Sequence, residues 1–379
     1  MLVAMTSILG QTVLDWHVKK LEFSAVSIGV AMQNDTTGWS SFTNGASSIK
    51  ITKTTDGGAT WNHVKNQTDA LMIMGMDLSS SPALDVVTTG MLSTSFSTDG
   101  EVFKGGFGAP FISQSIKAMD GGRVVVAASG GVCTSTSSGA RFICKKVPFK
   151  YGPQARYVSA PSSKVIYVTA GSWPSHTSST RDEVQLTANL RLVNRSLALG
   201  SRQALEMGAV TTRPPSVTAS ATPNVGYTAE LWKSTDGGDT WKSLISDEGN
   251  FYFNDIDCSS EDHCVAVGEG FGHDGSASPG ARVYVTTDGD NFKLAHHETT
   301  DGSSLMAAKA LSDTEHHVGG MGQGWVALHS TDAGKSYGKL GSKIRGQMIT
   351  SMSFIKGSHA FATSISQLQI CSLLEYGSA

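Results

Sequence analysis

Charged side chains and prolines are both scarce in this sequence. Asp, Glu, Lys and Arg together make up 16% of the 379 residues, and the chain contains 10 prolines. The net charge of −3 at pH 7 argues against a general binder of nucleic acid or of an anionic membrane surface, because such proteins carry clustered positive charge. No apolar run reaches about 18 residues, so the sequence predicts no segment that spans a membrane.

Motifs for metal or phosphate chemistry are missing as well. No Cys-x-x-Cys pair occurs, which argues against a zinc ribbon, and the short Asp-containing motif that recurs in the chain offers too few carboxylates in each copy for an EF-hand calcium loop. The paired histidines at 296–297 and 316–317 are interpreted as incidental, so we predict neither a metal nor a cofactor. Glycine is abundant, with 42 residues, and this composition favours short strands joined by turns.

One short motif recurs along the chain. Residues 234–241 read Ser-Thr-Asp-Gly-Gly-Asp-Thr-Trp, 54–61 and 330–337 are close copies, and 97–103 and 286–292 are one residue shorter. An Asp carboxylate in such a turn can accept hydrogen bonds from the following backbone, and Gly supplies the positive φ of a tight hairpin. We therefore predict structural turns, each with an Asp that holds the backbone and an aromatic anchor: Asp56 with Trp61, Asp99 with Phe103, Asp236 with Trp241, Asp288 with Phe292, and Asp332 with Tyr337.

The spacing of these copies predicts the fold. Neighbouring copies lie 43, 52 and 44 residues apart where both members of a pair are clear, counted between their Asp residues. A degenerate copy at 136–142, in which Ser138 is interpreted as replacing the Asp and Phe142 keeps the aromatic, fills the longest gap. A period of about 40–50 residues is typical of the four-stranded blades of a β-propeller.

Apolar strand pairs precede the motif copies and define seven units. Examples are 116–119 with 124–128, 156–160 with 165–170 and, in the first unit, 21–27 with 28–32. We predict an all-β protein, a single seven-bladed β-propeller domain over residues 1–379, with six or eight blades as alternatives. The last unit lacks the motif and has its third strand predicted at 367–374. A strand at 14–20 is predicted to complete this blade and close the ring.

Residues 172–226 make the fourth unit about twice the usual length and are predicted to be an insertion within the fourth blade. Apolar residues in 182–206 fit a helical period and also a period of two, so a helix and a long hairpin both remain open. Five of the chain's ten arginines and no lysine lie in the insertion. Because long insertions in compact folds are often functional, we predict a partner-binding surface formed by Arg191, Arg195, Arg202 and Arg213.

Cysteines and glycosylation sequons indicate the compartment. Two cysteine pairs bracket short loops at which neighbouring strands would bring them together, and we predict local disulfides between Cys133 and Cys144 and between Cys258 and Cys264. Cys371 is left over. Three sequons for N-glycosylation begin at Asn34, Asn66 and Asn194. We expect a secreted or lumenal glycoprotein.

The recurrent motif resembles the Asp-box, also called the BNR repeat, of sialidases, sortilin-type receptors, xyloglucan-active glycosidases and photosystem II stability/assembly factors. The strand that precedes a copy, as in Val265-Ala266-Val267-Gly268, is most similar to that of the assembly factors. The resemblance covers most of residues 14–376 outside the insertion. It implies a propeller, and it says little about activity because unrelated proteins share the motif.

Two classes of function follow from the resemblance. The first is a non-catalytic scaffold that binds a protein or glycan partner, and the second is a secreted glycoside hydrolase. A sialidase would need three arginines around a carboxylate, but no arginine precedes Arg123 and the Phe/Tyr-Arg-Ile-Pro motif is absent. A xyloglucan-active enzyme would need two opposed carboxylates, and no spacing singles out such a pair. We favour the scaffold over the enzyme and leave the oligomeric state open.

Overall fold

The structure is a computed structural model that describes residues 14–19, 26–43, 49–64, 72–91, 94–109, 113–152, 155–174, 226–344, 346–356, 359–366 and 371–378. Within these residues, 28 strands form seven antiparallel sheets of four strands each. The seven-bladed propeller that the motif spacing predicts is therefore confirmed. A 3-10 turn at Gly272–Asp274 is the helical element of the described part, which contains no helix long and apolar enough to cross a membrane.

Blades 1 to 3 are meanders of four consecutive strands. Blade 1 consists of β2 (Val26–Met32), β3 (Gly38–Thr43), β4 (Ile49–Thr54) and β5 (Asn62–His63). Blade 2 consists of β6 (Met72–Ser79), β7 (Asp85–Met91), β8 (Thr94–Ser97) and β9 (Lys104–Gly105). Blade 3 consists of β10 (Ser113–Met119), β11 (Arg123–Ala128), β12 (Gly131–Ser135) and β13 (Ile143–Lys146).

Blades 4 to 6 follow the same plan. Blade 4 consists of β14 (Ala155–Ser159), β15 (Ile166–Ser172), β16 (Thr228–Ser234) and β17 (Lys242–Glu248). Blade 5 consists of β18 (Tyr252–Cys258), β19 (Cys264–Gly270), β20 (Gly280–Thr286) and β21 (Lys293–Glu298). Blade 6 consists of β22 (Ser304–Ala310), β23 (His316–Gly322), β24 (Trp325–Ser330) and β25 (Gly338–Leu340).

Blade 7 joins the two ends of the described chain. It contains β26 (Gln347–Lys356), β27 (His359–Ser366), β28 (Cys371–Ser378) and β1 (Leu14–Lys19), and β1 pairs antiparallel with β28 so that Trp16 lies opposite Tyr376. The first strand β26 contacts β2 of blade 1. The N-terminal strand thus completes the last blade as its fourth, outer strand, as predicted, and closes the ring.

One strand boundary differs from the prediction. In blade 1, residues 26–32 form one strand and the second strand is Gly38–Thr43, so the predicted break between 27 and 28 is wrong. The pairing register shifts between Ser27 and Gly29, and this bulge interrupts the sequence pattern without ending the strand. In blade 7 the predicted third strand at 367–374 overlaps Cys371–Ser378, and its first four residues lie outside the described residues.

The hydrophobic core is distributed between neighbouring blades. One cluster joins Val265 and Val283 of blade 5 to Leu305 and Leu328 of blade 6, all of them buried. Another joins blades 6 and 7 and includes Trp16 of the closing strand. Because each sheet buries both faces against its neighbours, every blade is held on two sides by apolar contact.

The meander defines two faces of the ring. Connections between first and second strands, and between third and fourth strands, lie on one face, which we call the turn face. Connections between second and third strands, and from one blade to the next, lie on the other face. We call it the insertion face, because the connection from β15 to β16 that carries the predicted insertion starts there. The first strand of each blade lies nearest the axis, where it contacts the first strands of its neighbours.

Candidate functional site

The recurrent motif forms the turn between the third and fourth strands on the turn face, and we call these segments (54–61, 97–103, 234–241, 286–292 and 330–337) the repeat turns. In blade 4, Asp236 Oδ1 accepts hydrogen bonds from the Ser234 hydroxyl (2.8 Å) and from Thr240 N–H (2.9 Å). The Ser234 hydroxyl in turn accepts one from Gly238 N–H at 2.8 Å. The other four repeat turns repeat this use of the carboxylate, at Asp56, Asp99, Asp288 and Asp332.

These hydrogen bonds favour the ionised carboxylate. They come from side-chain hydroxyls and backbone N–H groups, and they lower the pKa of Asp56, Asp99 and Asp332 to about 2. The pKa values of Asp236 and Asp288 are lowered further, mainly by Thr240 and Asn291. The five carboxylates lie in five different blades, so the structure does not bring them together. Their role as turn locks stays a prediction, which a stability measurement can test.

The degenerate repeat turn of blade 3 corrects one residue assignment. Ser137, and not Ser138, takes the place of the Asp: its hydroxyl accepts a hydrogen bond from Arg141 N–H (3.1 Å) and lies 3.2 Å from the Ser135 hydroxyl. Ser138 instead adopts a positive φ of 55°. The spacing Ser135-x-Ser137-x-Gly139 matches that of the other long turns, whereas an alignment started at residue 136 is displaced by one position.

The aromatic residue at the end of each repeat turn packs between its own blade and the preceding one. Trp61 of blade 1 clusters with Phe361 of blade 7, and the ring centroid of Phe292 in blade 5 lies 6.0 Å from that of Tyr167 in blade 4. Phe103, Trp241 and Tyr337 occupy equivalent positions against blades 1, 3 and 5. The repeat turns therefore lie at the contacts between neighbouring blades, on the turn face and away from the insertion face.

Charged side chains meet in the central channel. The first strands line a cavity of about 50 Å³ to which Asp77, Lys117, Asp255 and Lys309 contribute. Lys117 Nζ of blade 3 lies 2.9 Å from Asp257 Oδ1 of blade 5. Burial by itself would lower the pKa of Lys117, but the carboxylates of Asp257, Asp77 and Asp255 outweigh burial and raise it above its usual value. Lys117 and Asp257 thus form an ion pair across the channel.

The same carboxylates hold neighbouring blades together. Asp77 Oδ2 accepts a hydrogen bond from Ala118 N–H of the next blade (3.0 Å), and Asp255 Oδ2 accepts one from Ala308 N–H (3.0 Å). The Ser353 hydroxyl of blade 7 accepts a hydrogen bond from the backbone N–H of blade 1 at residue 32 (2.9 Å). These contacts satisfy backbone donors along the first strands, and the channel lining therefore has a structural function in this ring.

An aromatic cluster lies on the insertion face, where the predicted insertion begins and ends. Trp173 follows β15 directly, and its ring centroid lies 5.4 Å from that of Tyr227, which precedes β16. Tyr252 and Phe271 of blade 5 complete the cluster, each with its centroid 5.3 Å from that of Trp173. Trp173 is partly exposed and the other three rings are buried. We call these four residues the aromatic base, since they lie where the chain leaves β15 and where it enters β16.

Two buried charged groups lie next to this base. Arg156 Nε donates to the carbonyl oxygen of Gly171 (2.7 Å), and its guanidinium carbon lies 5.1 Å from the centre of the Tyr252 ring. The Tyr252 hydroxyl donates to Glu269 Oε1 at 2.6 Å. Burial, followed by the nearby Glu269 carboxylate, raises the pKa of Tyr252 well above its usual value. Arg156 of blade 4 and Glu269 of blade 5 are both fully buried. Both contact Tyr252, so they lie at the interface of these two blades.

Among the carboxylates outside the repeat turns, Glu230 has a clear structural environment. It is buried and accepts hydrogen bonds from the backbone N–H groups of Lys150 and Tyr151 (2.9 Å each) and from Trp232 Nε1 (2.8 Å). Three donors leave this carboxylate little capacity to act on a substrate. It ties the segment after blade 3 to blade 4.

Several predicted residues can now be placed. Both predicted disulfides are confirmed, Cys133 with Cys144 and Cys258 with Cys264, because each pair occupies directly opposite positions on adjacent antiparallel strands. The predicted partner-binding residues Arg191, Arg195, Arg202 and Arg213 lie outside the described residues, as does the choice between helix and hairpin at 182–206. Of the three sequons, those at Asn66 and Asn194 also lie outside them, and Asn34 is exposed.

Sequence reasoning missed the aromatic cluster and the Lys117–Asp257 pair. The cluster had a readable signal, because Trp173 and Tyr227 stand at the two ends of the predicted insertion. The channel pair had none, since its members are 140 residues apart and come from blades that are not adjacent.

Comparison with known proteins identifies the fold alone. The sequence matches no known family profile, and no curated protein matches it. A structure of YCF48 bound to a D1 peptide is similar with a TM-score of 0.58 at 13% identity, covering 96% of both chains. YCF48 from Cyanidioschyzon merolae gives a TM-score of 0.57 at 12% identity, covering 96% of this chain and 98% of the other. A catalytically inactive virginiamycin B lyase from Staphylococcus aureus with quinupristin gives 0.61 at 10% identity, covering 95% and 99%.

Proposed function

We propose that this propeller is a non-catalytic scaffold that binds an extended, acidic segment of a protein partner on the insertion face. The observation that carries the proposal is the aromatic cluster of Trp173, Tyr227, Tyr252 and Phe271 at the root of the arginine-bearing insertion. Trp173 is the partly exposed ring, and the three buried rings hold it in place. A rigid aromatic ring provides contact area at a low cost in conformational entropy, and Trp, Tyr and Arg are the residues that most often dominate binding energy at protein interfaces.

Charge favours an acidic partner. Between residues 172 and 226, five arginines stand against three carboxylates and no lysine is present, although the whole chain has a net charge of −3. An arginine guanidinium binds a carboxylate through two parallel hydrogen bonds, which gives geometric specificity that lysine lacks. Trp173 offers apolar contact and the insertion that follows it in sequence carries the arginines, a combination suited to a peptide with both apolar and acidic side chains.

Two further observations support the proposal. A propeller of similar fold, YCF48, is bound to a D1 peptide in its own structure, so an architecture of this kind accommodates a peptide ligand. The two disulfides support a secreted or lumenal location, because disulfides persist in oxidising compartments. A partner would accordingly be sought among secreted or lumenal proteins, or in the lumenal segments of membrane proteins.

Fluorescence anisotropy with labelled 15-residue peptides tests the proposal. Acidic peptides containing one or two aromatic residues are compared with basic peptides of the same aromatic content. We expect the full-length protein to prefer the acidic set, and replacement of Arg191, Arg195, Arg202 and Arg213 by Ser to weaken this binding more than tenfold. Arg141→Ser is the matched control, since Arg141 is exposed in the repeat turn of blade 3 on the opposite face. Equal binding of both peptide sets would contradict the proposal.

The same preparation distinguishes the scaffold from the glycoside hydrolase that the motif resemblance also implies. Incubation with xyloglucan and with sialylated oligosaccharides, followed by measurement of released reducing sugar or sialic acid, should show no turnover above buffer. Sustained turnover would show that the protein is an enzyme and would contradict the scaffold proposal. Binding of a glycan without turnover would keep the scaffold and change its ligand.

A further inference from the structure

Two histidines and a carboxylate converge in blade 6. Glu315 ends the turn from β22 to β23, His317 lies on β23, and His329 lies directly opposite on β24. His317 Nε2 and His329 Nε2 each lie 3.4 Å from the same atom, Glu315 Oε1. All three potential ligand atoms lie within 4.8 Å of one another. In the part of the chain that the structure describes, no other group of three such side chains meets this criterion.

The separations fit the geometry of a tetrahedral zinc ion. Zinc binds histidine nitrogen and carboxylate oxygen at about 2.0–2.2 Å, so two ligand atoms of a tetrahedral site lie about 3.3–3.5 Å apart. The distances from Glu315 Oε1 to His317 Nε2 and to His329 Nε2 already have this value, at 3.4 Å each. Two histidines and a glutamate are also a ligand set that zinc enzymes use, with a fourth position open to water.

Burial fixes the position of His317, whereas His329 and Glu315 are exposed enough to move. His317 is fully buried, and its ring centroid lies 4.6 Å from that of Phe354 and 5.1 Å from that of Tyr376, both in blade 7. The side chains of His329 and Glu315 are 23% and 31% exposed. The His317 and His329 rings are stacked with centroids 4.1 Å apart, so His329 must tilt about its χ2 torsion for both nitrogens to point at one ion. The partial exposure of the His329 side chain leaves room for that movement.

One ring nitrogen at this place lacks a hydrogen-bond partner. His329 Nε2 is buried at the atomic level and, among the described residues, makes no hydrogen bond of acceptable geometry, although it faces Glu315 Oε1. A buried polar atom without a partner is unusual in a folded protein. A cation between the nitrogen and the carboxylate would satisfy both.

We infer that Glu315, His317 and His329 bind a divalent transition-metal ion, zinc in particular, at the boundary between blade 6 and the closing blade 7. This site was not expected from the sequence, which predicts the paired histidines to be incidental. In the other pair, 296–297, His297 Nε2 lies 3.0 Å from the carbonyl oxygen of Pro279. His317 contacts Tyr376, which pairs with Trp16 of the N-terminal strand, so metal binding would stabilise the blade that closes the ring.

Calorimetric titration of the EDTA-treated full-length protein with zinc chloride tests the site. We expect about one zinc ion per chain and a higher melting temperature in its presence. Glu315→Gln and His329→Gln should each weaken zinc binding at least tenfold, and both residues are exposed enough for the variants to fold. His63→Gln is the matched control, because His63 is an exposed histidine on the outer strand of blade 1.

Cobalt supplies a readout of geometry that does not depend on stability. The visible absorption of tetrahedral cobalt should appear when Co²⁺ is added to the wild-type protein and be lost in His329→Gln. The inference is overturned if the wild type binds no zinc in equilibrium dialysis. It is equally overturned if folded Glu315→Gln and His329→Gln variants bind zinc as tightly as the wild type does.

Discussion

The indole Nε1 of Trp39 in blade 1 donates a hydrogen bond of 2.8 Å to the carbonyl oxygen of Gly100, which lies in the repeat turn of blade 2. The same relationship recurs between blades 4 and 5, where the Tyr167 hydroxyl donates to the carbonyl oxygen of Gly289 at 2.9 Å. Both of these repeat turns are the shorter form that ends in Phe. Because the Phe side chain has no hydrogen-bond donor, a side chain of the preceding blade donates to the Gly carbonyl of the turn instead.

Repeat turns that end in Trp satisfy the corresponding carbonyl internally. Trp61 Nε1 donates to Gly58 and Trp241 Nε1 donates to Gly238, each at 3.1 Å. The two forms of the motif thus differ in how they join the ring. In the shorter form a side chain of the preceding blade donates to this carbonyl, whereas in the Trp form the indole of the same turn does. The Trp form of blade 4 also accepts a hydrogen bond across the joint, from Lys145 Nζ of blade 3 to the carbonyl oxygen of Gly237 at 3.2 Å.

Removal of the Tyr167 hydroxyl should destabilise the joint between blades 4 and 5. The single proton of this hydroxyl is shared between the carbonyl oxygens of Gly289 (2.9 Å) and Glu261 (2.6 Å), and Tyr167→Phe removes it from both. Unsatisfied buried polar groups cost about 1–3 kcal/mol, so we expect the free energy of unfolding to fall by that amount in urea titrations. Tyr151→Phe is the control, since the Tyr151 hydroxyl makes its contacts at exposed positions. Equal stabilities of Tyr167→Phe and Tyr151→Phe would contradict this account of the joint.

The number of blades was predictable because every blade repeats one local motif. Turn chemistry at Asp236, an aromatic anchor at Trp241 and a period of about 40–50 residues are all readable in sequence, and each has a single structural consequence. The closing strand was predictable for a similar reason, since residues 14–20 resemble the strand that follows a repeat turn and blade 7 lacked one. Errors arose where a bulge broke the alternation, as at Ser27–Gly29.

The sites were less predictable because their members come from different blades or strands. Lys117 and Asp257 meet only when the ring closes, and no local pattern marks either residue. His317 and His329 become neighbours through the register of β23 and β24, which a sequence reader could obtain only by aligning that hairpin residue by residue. The arginines of the insertion are visible in sequence, but sequence gives no position for them relative to the aromatic cluster.

Acid should destabilise the repeat turns before the rest of the ring loses its packing. The folded-state pKa of Asp56, Asp99 and Asp332 is about 2, below the ordinary value of 3.8. The folded state therefore holds fewer protons than the unfolded state between these values. The stability these carboxylates contribute is complete above pH 3.8 and is lost as the pH falls through about 2.

Asp236→Ala isolates this effect in one turn. We expect a lower free energy of unfolding at pH 7, because Ser234, Asp239 and Thr240 lose their acceptor, and a difference from wild type that shrinks as the pH falls towards 2. Urea titrations at pH 7, 4 and 2.5 measure it, with Asp262→Ala, at an exposed position in a neighbouring turn, as the control. Asp236→Ala should leave peptide binding unchanged. Lost binding at an unchanged melting temperature would assign this Asp a functional role.

The Lys117–Asp257 pair should show strong energetic coupling. Loss of one partner from a largely buried ion pair costs about 3–5 kcal/mol, because the other charge is left without compensation. We therefore expect Lys117→Met to lower the free energy of unfolding by about 3 kcal/mol. Asp257→Asn keeps an oxygen for the hydrogen bond from Ala310 N–H, so it is the suitable second variant. In a double-mutant cycle the combined variant should be more stable than the sum of the two losses predicts. Additive losses would show that the pair is not coupled.

Deletion of residues 178–222 should leave the ring folded and weaken partner binding. The two strands that flank the insertion already meet without it: Ser172 lies opposite Thr228, and Ser172 N–H donates to Thr228 Oγ1 at 2.9 Å. A shorter connection also lowers the entropic cost of closing this loop, so the free energy of unfolding should stay equal or rise slightly. Far-UV circular dichroism and urea titration measure the fold, and fluorescence anisotropy with acidic peptides measures binding. Loss of cooperative unfolding would show that the insertion belongs to the core, whereas a folded variant that binds acidic peptides at full strength would place the partner site elsewhere on the ring.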